Sequence, residues 1–184
     1  MTPYAQPTPG SVHEAPTLEF FEGQQLRSLY ASVPSSVVAI CALIDGAPDG
    51  MAASSLVPVS IDPPLVSFCV QSRSRTWPRM RAGARLGVSV LARSQRSACT
   101  DLARRDGDRF AHLPWSAHEH GAVFINGAAA YFSCVVESEM VAGDHVLVLL
   151  RVVLGSLTGE SPIIFHNSTF GSVSAIGVVG APTR

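Results

Sequence analysis

The 184-residue sequence contains no lysine, so all 13 of its basic residues are arginines. Ten of them lie between Arg73 and Arg109, although the net charge of the chain is only −1. Arginine suits phosphate recognition because its planar guanidinium group can donate two parallel hydrogen bonds. No aromatic nucleic-acid motif accompanies the cluster. We therefore predict no nucleic-acid partner, and solvated helical surface is the simplest alternative explanation of these arginines.

Long apolar runs are also missing. The uncharged residues 29–44 are too few to span a bilayer easily, and they include Pro34. Residues 1–16 contain four prolines but neither the basic region nor the apolar run of a signal peptide. We expect no membrane association, a cytoplasmic location, a flexible N-terminal tail over residues 1–16 and a single domain over residues 17–184.

Several motifs that would define an enzyme class are absent. The sequence has no C-x-x-C pair, no Gly-x-Ser-x-Gly and no G-x-G-x-x-G. Three of the four cysteines lie in apolar runs, so we expect reduced thiols that pack as small hydrophobic residues. The four cysteines are Cys41, Cys69, Cys99 and Cys134.

Histidines cluster in one predicted loop, at His118 and His120 with His112 nearby. This cluster could bind a metal ion, but no further ligand spacing of a known kind accompanies it. We therefore predict no metal site.

Turn-forming residues are plentiful, with 15 glycines and 13 prolines, and they favour a mainly β domain. Hydrophobic residues make up 47% of the chain and charged residues only 15%, which suggests surface buried against a partner chain. Apolar patterning predicts helices over residues 17–33, 77–81 and 94–105. It predicts strands over residues 37–44, 51–55, 65–71, 86–91, 122–125, 128–139 and 145–153, with short elements at 162–165 and 169–173. This order indicates a β-barrel with two or three added helices.

Three stretches have residue types that suit a planar, phosphorylated cofactor. Residues 50–65 begin with small and hydroxylated side chains, which would let a flat ring approach the backbone. Residues 72–76 alternate hydroxyls with arginines just before a predicted helix, an arrangement that can hold a phosphate or simply cap that helix. In Gly143–Asp144–His145 a turn would place the imidazole at a strand start.

Together these stretches resemble the short-chain flavin reductases of two-component monooxygenases, which have an FMN-binding split-barrel fold. Residues 50–55 and 60–65 match the family pattern of Gly, an apolar residue, Thr-Ala-Asn/Ser-Ser and then Ser-x-x-Pro-Pro-Leu. Residues 143–145 match its Gly-Asp-His triplet. The chain departs from the pattern at Ala52, Pro58 and Leu150, where the family usually has Thr, Ser and Gly.

The resemblance implies an NAD(P)H:flavin oxidoreductase that binds FMN or FAD, takes hydride from NADH or NADPH, and supplies reduced flavin to a separate oxygenase by diffusion. It also implies a homodimer. His145 would meet the nicotinamide and is the predicted catalytic residue. The flavin-binding residues that the resemblance implies are Ala53, Ser54, Ser55, Asp62 and Pro63 near the ring, Ser72, Ser74 and Thr76 at the phosphate, and Phe170 as a cover.

Two alternatives remain open from the sequence. An enzyme of the same fold could keep its flavin and act on a small organic substrate. A non-catalytic flavin-binding protein would have lost the nicotinamide site.

Overall fold

The computed structural model describes residues 16–172. The helices in this range are α1 (Gly23–Ala31), α2 (Trp77–Met80) and α3 (Arg96–Leu102). The strands are β1 (Ser35–Ser36), β2 (Val38–Ile44), β3 (Ala47–Ala53), β4 (Val57–Ser60), β5 (Leu65–Gln71), β6 (Leu86–Val90), β7 (Trp115–Ala117), β8 (Val123–Ile125), β9 (Ala130–Ala142), β10 (His145–Leu157), β11 (Ile163–His166) and β12 (Thr169–Ser172). The predicted tail, except Pro16, and residues 173–184 of the predicted domain lie outside the described residues.

Seven strands form one antiparallel sheet in the order β3-β2-β6-β9-β10-β5-β4. Its two edge strands, β3 and β4, are joined only by residues 54–56, so the sheet curls until its edges meet. Ser55 lies at the meeting point. Its Oγ accepts a hydrogen bond from the Cys69 backbone N–H at 2.8 Å and donates one to the Cys69 carbonyl at 3.2 Å. The predicted mainly β split barrel with added helices is confirmed.

Strand β2 is buried on both faces, which explains its continuous apolar sequence. Val38 and Ile40 pack inside the barrel, whereas Ala39 and Cys41 face a second core shared with α3 and β8. All four residues have no solvent exposure. β2 therefore fixes α3 against the outside of the barrel, next to the split.

Helix α2 closes one end of the barrel. The Trp77 ring packs edge-on against Phe68, with 5.3 Å between ring centroids. The Trp77 indole N–H donates a hydrogen bond to Glu139 at 2.8 Å. Pro78 lies in the first turn of this helix, where its missing N–H costs nothing. The residues before α2 are thereby held at the rim of the barrel.

Helix α1 is shorter than the predicted range 17–33, which was wrong at its start. Gly23 has a φ of +51°, in the left-handed region that cannot continue a right-handed helix toward the N-terminus. Leu18 and Phe20 precede this turn and are 88% and 87% exposed.

The predicted helix over residues 94–105 is also shorter. It consists of a 3-10 turn over Arg93–Gln95 and then α3, which ends at Leu102. The chain leaves the helix before the left-handed residue Gly107, which has a φ of +84°. Arg104 and Arg105 therefore belong to a turn at the end of α3.

The predicted loop over residues 110–121 contains strand β7, which pairs with β8. Strand β4 was not predicted as a separate strand because Pro58 interrupts its apolar pattern. The structure places β4 at the edge of the sheet, where proline is tolerated. Strands β9 and β10 extend beyond their predicted ends at residues 139 and 153. The added residues are exposed, so burial leaves no pattern in their sequence.

The four cysteines are free thiols, as predicted. Burial raises the pKa of the Cys134 thiol to about 12, and it also raises the pKa of Cys41. These two side chains therefore act as neutral core groups near neutral pH.

Candidate functional site

A groove of about 710 Å³ follows the split in the barrel. This volume is typical of a pocket for a small-molecule ligand. One wall is formed by the end of β3 and the turn after α3, and the other by the end of β5 and residues 73–76. The residues that line it are Met51, Ala52, Ala53, Ser54, Ser55, Cys69, Val70, Gln71, Arg73, Ser74, Arg75, Thr76, Leu102, Ala103, Arg104, Arg105, Arg109 and His145.

Six of the ten predicted site residues line this groove although they come from three separate parts of the sequence. They are Ala53, Ser54, Ser55, Ser74, Thr76 and His145. Ser72 lies between two lining residues but does not line the groove itself; its N–H donates a hydrogen bond to the Asp144 carbonyl at 3.0 Å. Asp62, Pro63 and Phe170 lie elsewhere.

Asp62 and Pro63 lie in the turn before β5, at the end of that strand that is remote from the groove. Six residue steps separate Leu65 from Gln71, which is about 20 Å in an extended strand. Within one chain these two residues do not reach the groove, so their predicted contact with the flavin ring stays a prediction.

Phe170 lies on β12, where its ring is 5.2 Å from the ring of Phe165. The Arg96 guanidinium lies 5.2 Å from the centroid of the Phe170 ring. Arg96 begins α3, whereas the groove is bordered by the other end of that helix, about 9 Å further along its axis. The predicted role of Phe170 as a cover also stays a prediction.

The β3 side of the groove is built from small side chains. Ala52 and Ala53 end β3, and Ser54 and Ser55 continue the wall toward β5. Such a wall lets a planar ring approach the backbone closely. The Ser55 hydroxyl is already bonded to Cys69, so it joins the two edges of the split.

The hydroxyls of Ser74 and Thr76 both accept hydrogen bonds from other groups of the protein. The Ser74 hydroxyl accepts a hydrogen bond from the Trp77 N–H at 3.2 Å, so the capping alternative is supported for Ser74. Thr76 is buried, and its Oγ1 accepts a hydrogen bond from Arg109 at 2.9 Å. Arg73 and Arg75 therefore supply the strongest anion-binding groups of this segment.

Arg109 connects both walls of the groove. Besides Thr76, its guanidinium donates to the Gly50 carbonyl at 2.7 Å and to the Arg104 carbonyl at 2.9 Å. It also lies 3.7 Å from Asp49. The sequence placed Arg109 in the arginine cluster without assigning it to the site. Its hydrogen bonds to Gly50 and Thr76, which are distant in sequence, show that it holds the two walls of the groove together.

His145 begins β10 at the rim of the groove. Its Nδ1 lies 2.7 Å from the Asp144 carboxylate. This hydrogen bond lowers the pKa of Asp144, and the charge of His145 acts in the same direction. The contact orients the imidazole through one nitrogen and leaves Nε2 as the other polar atom of the ring.

Five arginines line the groove, and no aspartate or glutamate lines it among the described residues. Sequence reasoning assigned Arg73 and Arg75 to a phosphate cradle but missed Arg104 and Arg105, because the predicted helix included them. Two of the five are near carboxylates, Arg104 at Asp101 and Arg109 at Asp49. Arginines that have no such ion pair suit a phosphate. The small-residue wall and the arginines together fit a flavin nucleotide.

Within residues 16–172, no three His, Cys, Asp or Glu side chains gather in a way that could hold a metal ion. None of the helices described is both long and apolar enough to cross a membrane.

Comparison with known proteins decides the family. The model of the flavin reductase-like domain matches residues 30–174, which include the whole groove. The chain belongs to this flavin reductase family. It is 31% identical to the reductase subunit HsaB of a flavin-dependent monooxygenase from Rhodococcus jostii, over 90% of this chain and 86% of that protein.

Solved structures agree with this family assignment. Nitrilotriacetate monooxygenase component B from Mycobacterium thermoresistibile has a TM-score of 0.81 and 28% identity, covering 88% of this chain and 92% of that one. An NADH:FAD oxidoreductase from Streptomyces globisporus, in complex with NAD and FAD fragments, has a TM-score of 0.80 and 28% identity, covering 87% and 99%. The predictions of a flavin reductase, and of flavin and NAD(P)H as its cofactors, are confirmed.

Proposed function

We propose that this flavin reductase binds FMN or FAD in the groove at the barrel split, reduces it with NADH or NADPH, and releases it to a separate oxygenase. The observation that carries the proposal is the convergence in one groove of a small-residue wall, an arginine-rich rim and His145. The relative from Rhodococcus jostii supports release to a separate oxygenase, since it is the reductase subunit of a flavin-dependent monooxygenase.

The small-residue wall would hold the flavin ring. Ala53 and Ser54 offer little side-chain volume, so backbone groups at the end of β3 can approach a flat ligand. Ser55 keeps this wall at a fixed distance from β5 through its two hydrogen bonds to Cys69. Asp62 and Pro63 could join this site only from another subunit, since they lie at the remote end of β5.

The phosphate would lie at the rim formed by residues 72–76. Arg73 and Arg75 supply positive charge, and Ser74 adds a hydroxyl between them. The Thr76 hydroxyl accepts a hydrogen bond from Arg109. Because Arg109 also donates to the Gly50 carbonyl on β3, it holds the rim against the β3 wall. This arrangement binds and orients a nucleotide without an acid–base step.

A bound flavin supplies the hydride-accepting chemistry of the reaction. The protein then has to align the flavin ring with the nicotinamide ring, so that the hydride donor lies next to its acceptor. His145 lies where a second planar group could enter the groove, and its bond to Asp144 fixes the orientation of the imidazole. We assign His145 to the nicotinamide of NAD(P)H.

A homodimer would cover apolar surface that one chain leaves exposed. No residue of α1 is buried, and its Tyr30 is 65% exposed. Leu18 and Phe20, just before α1, are still more exposed. Such clustered apolar surface favours contact with a second copy. Free thiols fit a reducing cytoplasmic compartment.

Steady-state oxidation of NADH and NADPH with added FMN or FAD tests the reductase function. We expect turnover that depends on free flavin, and a purified protein that loses its flavin on gel filtration. Absence of turnover with every pairing would overturn the proposal. Tightly retained flavin with negligible reduction of added flavin would favour an enzyme that acts on a small organic substrate.

A further inference from the structure

Arginines stand on both walls of the groove. Arg73 and Arg75 follow β5 on one wall, and Arg104 and Arg105 follow α3 on the other. Arg109 lies between them and bonds to a residue of each wall, Thr76 and Arg104. Because Arg109 is held within the protein, the other four arginines are the ones that can meet a ligand.

These four arginines differ in how their charge is balanced. Arg104 forms an ion pair with Asp101 at 3.0 Å, one turn earlier on α3. Arg73, Arg75 and Arg105 form no ion pair within 4 Å among the described residues, although Arg73 lowers the pKa of Asp144 slightly through its charge. Unbalanced cations that share one groove repel each other and raise the local concentration of anions.

The wall that carries Arg73 and Arg75 has enough hydrogen-bond donors for the single phosphate of FMN. Two arginines can bind a phosphate through paired hydrogen bonds, and Arg73 and Arg75 lie beside the hydroxyls of residues 72–76. Arg105 on the opposite wall then has no anion to meet. A cation at the C-terminal end of α3 is also stabilised by the helix dipole. Arg104, which pairs with Asp101, already supplies such a cation, so the dipole does not explain Arg105.

We propose that Arg105, assisted by Arg104, forms a second phosphate subsite that recognises a nucleotide phosphate absent from FMN. The phosphate would belong to the adenylate half of FAD or to the adenosine half of NADPH. The inference rests on the proposed function, because the first phosphate is placed by the flavin in the groove. The short turn over residues 103–107 supports it, since this turn brings two consecutive arginines to the groove wall.

The test uses the 184-residue protein and compares two pairs of ligands: FMN with FAD, which differ by an adenylate group, and AMP with adenosine 2′,5′-bisphosphate, which differ by one phosphate. Flavin fluorescence gives the Kd of FMN and of FAD, and calorimetry gives the Kd of AMP and of adenosine 2′,5′-bisphosphate. The variants are Arg105→Gln and Arg105→Lys. Arg93→Gln is the matched control, because Arg93 is exposed and does not line the groove.

We expect Arg105→Gln to weaken FAD or the bisphosphate about tenfold, the effect of losing one charge-assisted hydrogen-bond pair. FMN should change less than about twofold, and Arg105→Lys should recover part of the loss because it keeps the charge. Weaker binding of both FAD and AMP assigns the subsite to the adenylate phosphate of the flavin. Weaker binding of the bisphosphate with unchanged AMP assigns it to the 2′-phosphate of NADPH.

The inference is overturned if Arg105→Gln weakens all four ligands equally or weakens none of them, or if Arg93→Gln has the same effect. Its failure is distinguishable from failure of the proposed function. In the first case wild-type protein still binds FMN and oxidises NAD(P)H; in the second it does neither. Unchanged circular dichroism and thermal midpoint show that each variant is folded.

Discussion

The barrel interior and the groove at its split share strand β5, yet they are built from opposite kinds of residues. On β5, Phe68 is fully buried in the interior, whereas the next residue, Cys69, borders the groove and is only partly buried. The interior is filled by apolar side chains, and the groove is lined by small residues, hydroxyls and arginines. The barrel therefore carries stability, and the groove can change its ligand contacts with little effect on folding.

The largest expected effect comes from the interior. Leu150, which stands where the family pattern has Gly, has no solvent exposure and packs in the barrel core. Leu150→Ala should lower the free energy of unfolding by about 3 kcal/mol through lost packing and a cavity. Chemical denaturation measures this. Leu157→Ala on the same strand is the control, because Leu157 is 85% exposed; equal losses for the two variants would contradict the assignment.

Arg109 tests the boundary between the two regions. Arg109→Ala removes hydrogen bonds to Gly50, Thr76 and Arg104 and should cost about 2 kcal/mol of unfolding free energy. It should also weaken flavin binding, because the two walls lose their connection. Arg151→Ala, which breaks only the exposed pair with Glu137, should cost less than about 1 kcal/mol. Unchanged stability and unchanged flavin Kd in Arg109→Ala would show that the walls hold without it.

His145 tests the groove alone. His145→Ala should lower kcat/KM for the reduced nicotinamide about tenfold, or about 1.4 kcal/mol, without changing the denaturation midpoint or the flavin Kd. His112→Ala provides the control, since His112 is exposed and outside the groove. If His145→Ala changed flavin binding and left nicotinamide use intact, His145 would belong to the flavin site instead.

The smallest effect concerns a buried thiol and pH. The pKa of Cys134 is about 12 in the folded protein against 9.0 for an ordinary thiol. Because the folded pKa is raised, its stabilising contribution is complete below pH 9 and is lost as the pH rises from 9 to about 12. Between pH 8 and pH 9.5 the wild type should lose about 0.8 kcal/mol more unfolding free energy than Cys134→Ala. Equal losses in denaturation at the two pH values would contradict a buried neutral thiol.

The same contrast explains which parts could be predicted from sequence. The apolar runs of β2, β5 and β10 gave the barrel because burial leaves a direct pattern in composition. The small-residue stretch, residues 72–76 and residues 143–145 contain more than half of the residues that line the groove, because small side chains, hydroxyls and arginines are visible in the sequence itself. The predicted start of α1 and the predicted end of α3 were wrong. Left-handed Gly23 limits α1 at its start, and α3 ends at Leu102, before left-handed Gly107.

Contacts between distant residues could not be read from the chain. Neither the bond of Ser55 to Cys69 nor the bridge that Arg109 forms to Thr76 has a local signature, because each depends on how the sheet curls. Arg104 and Arg105 became groove residues only when α3 was seen to end at Leu102. Asp62 and Phe170 show the opposite limit, because the family resemblance names these residues without saying where the fold places them.

A flavin titration with the groove sterically filled tests most directly the claim that the split holds the cofactor. Ser54 is exposed and lines the groove, whereas Ser97 on α3 is exposed and does not. Titrating each protein with FMN and FAD by fluorescence should show at least about tenfold weaker binding for Ser54→Trp, with an unchanged denaturation midpoint. Ser97→Trp should bind as the wild type does. Wild-type affinity in a folded Ser54→Trp protein would contradict the placement of the flavin in this groove.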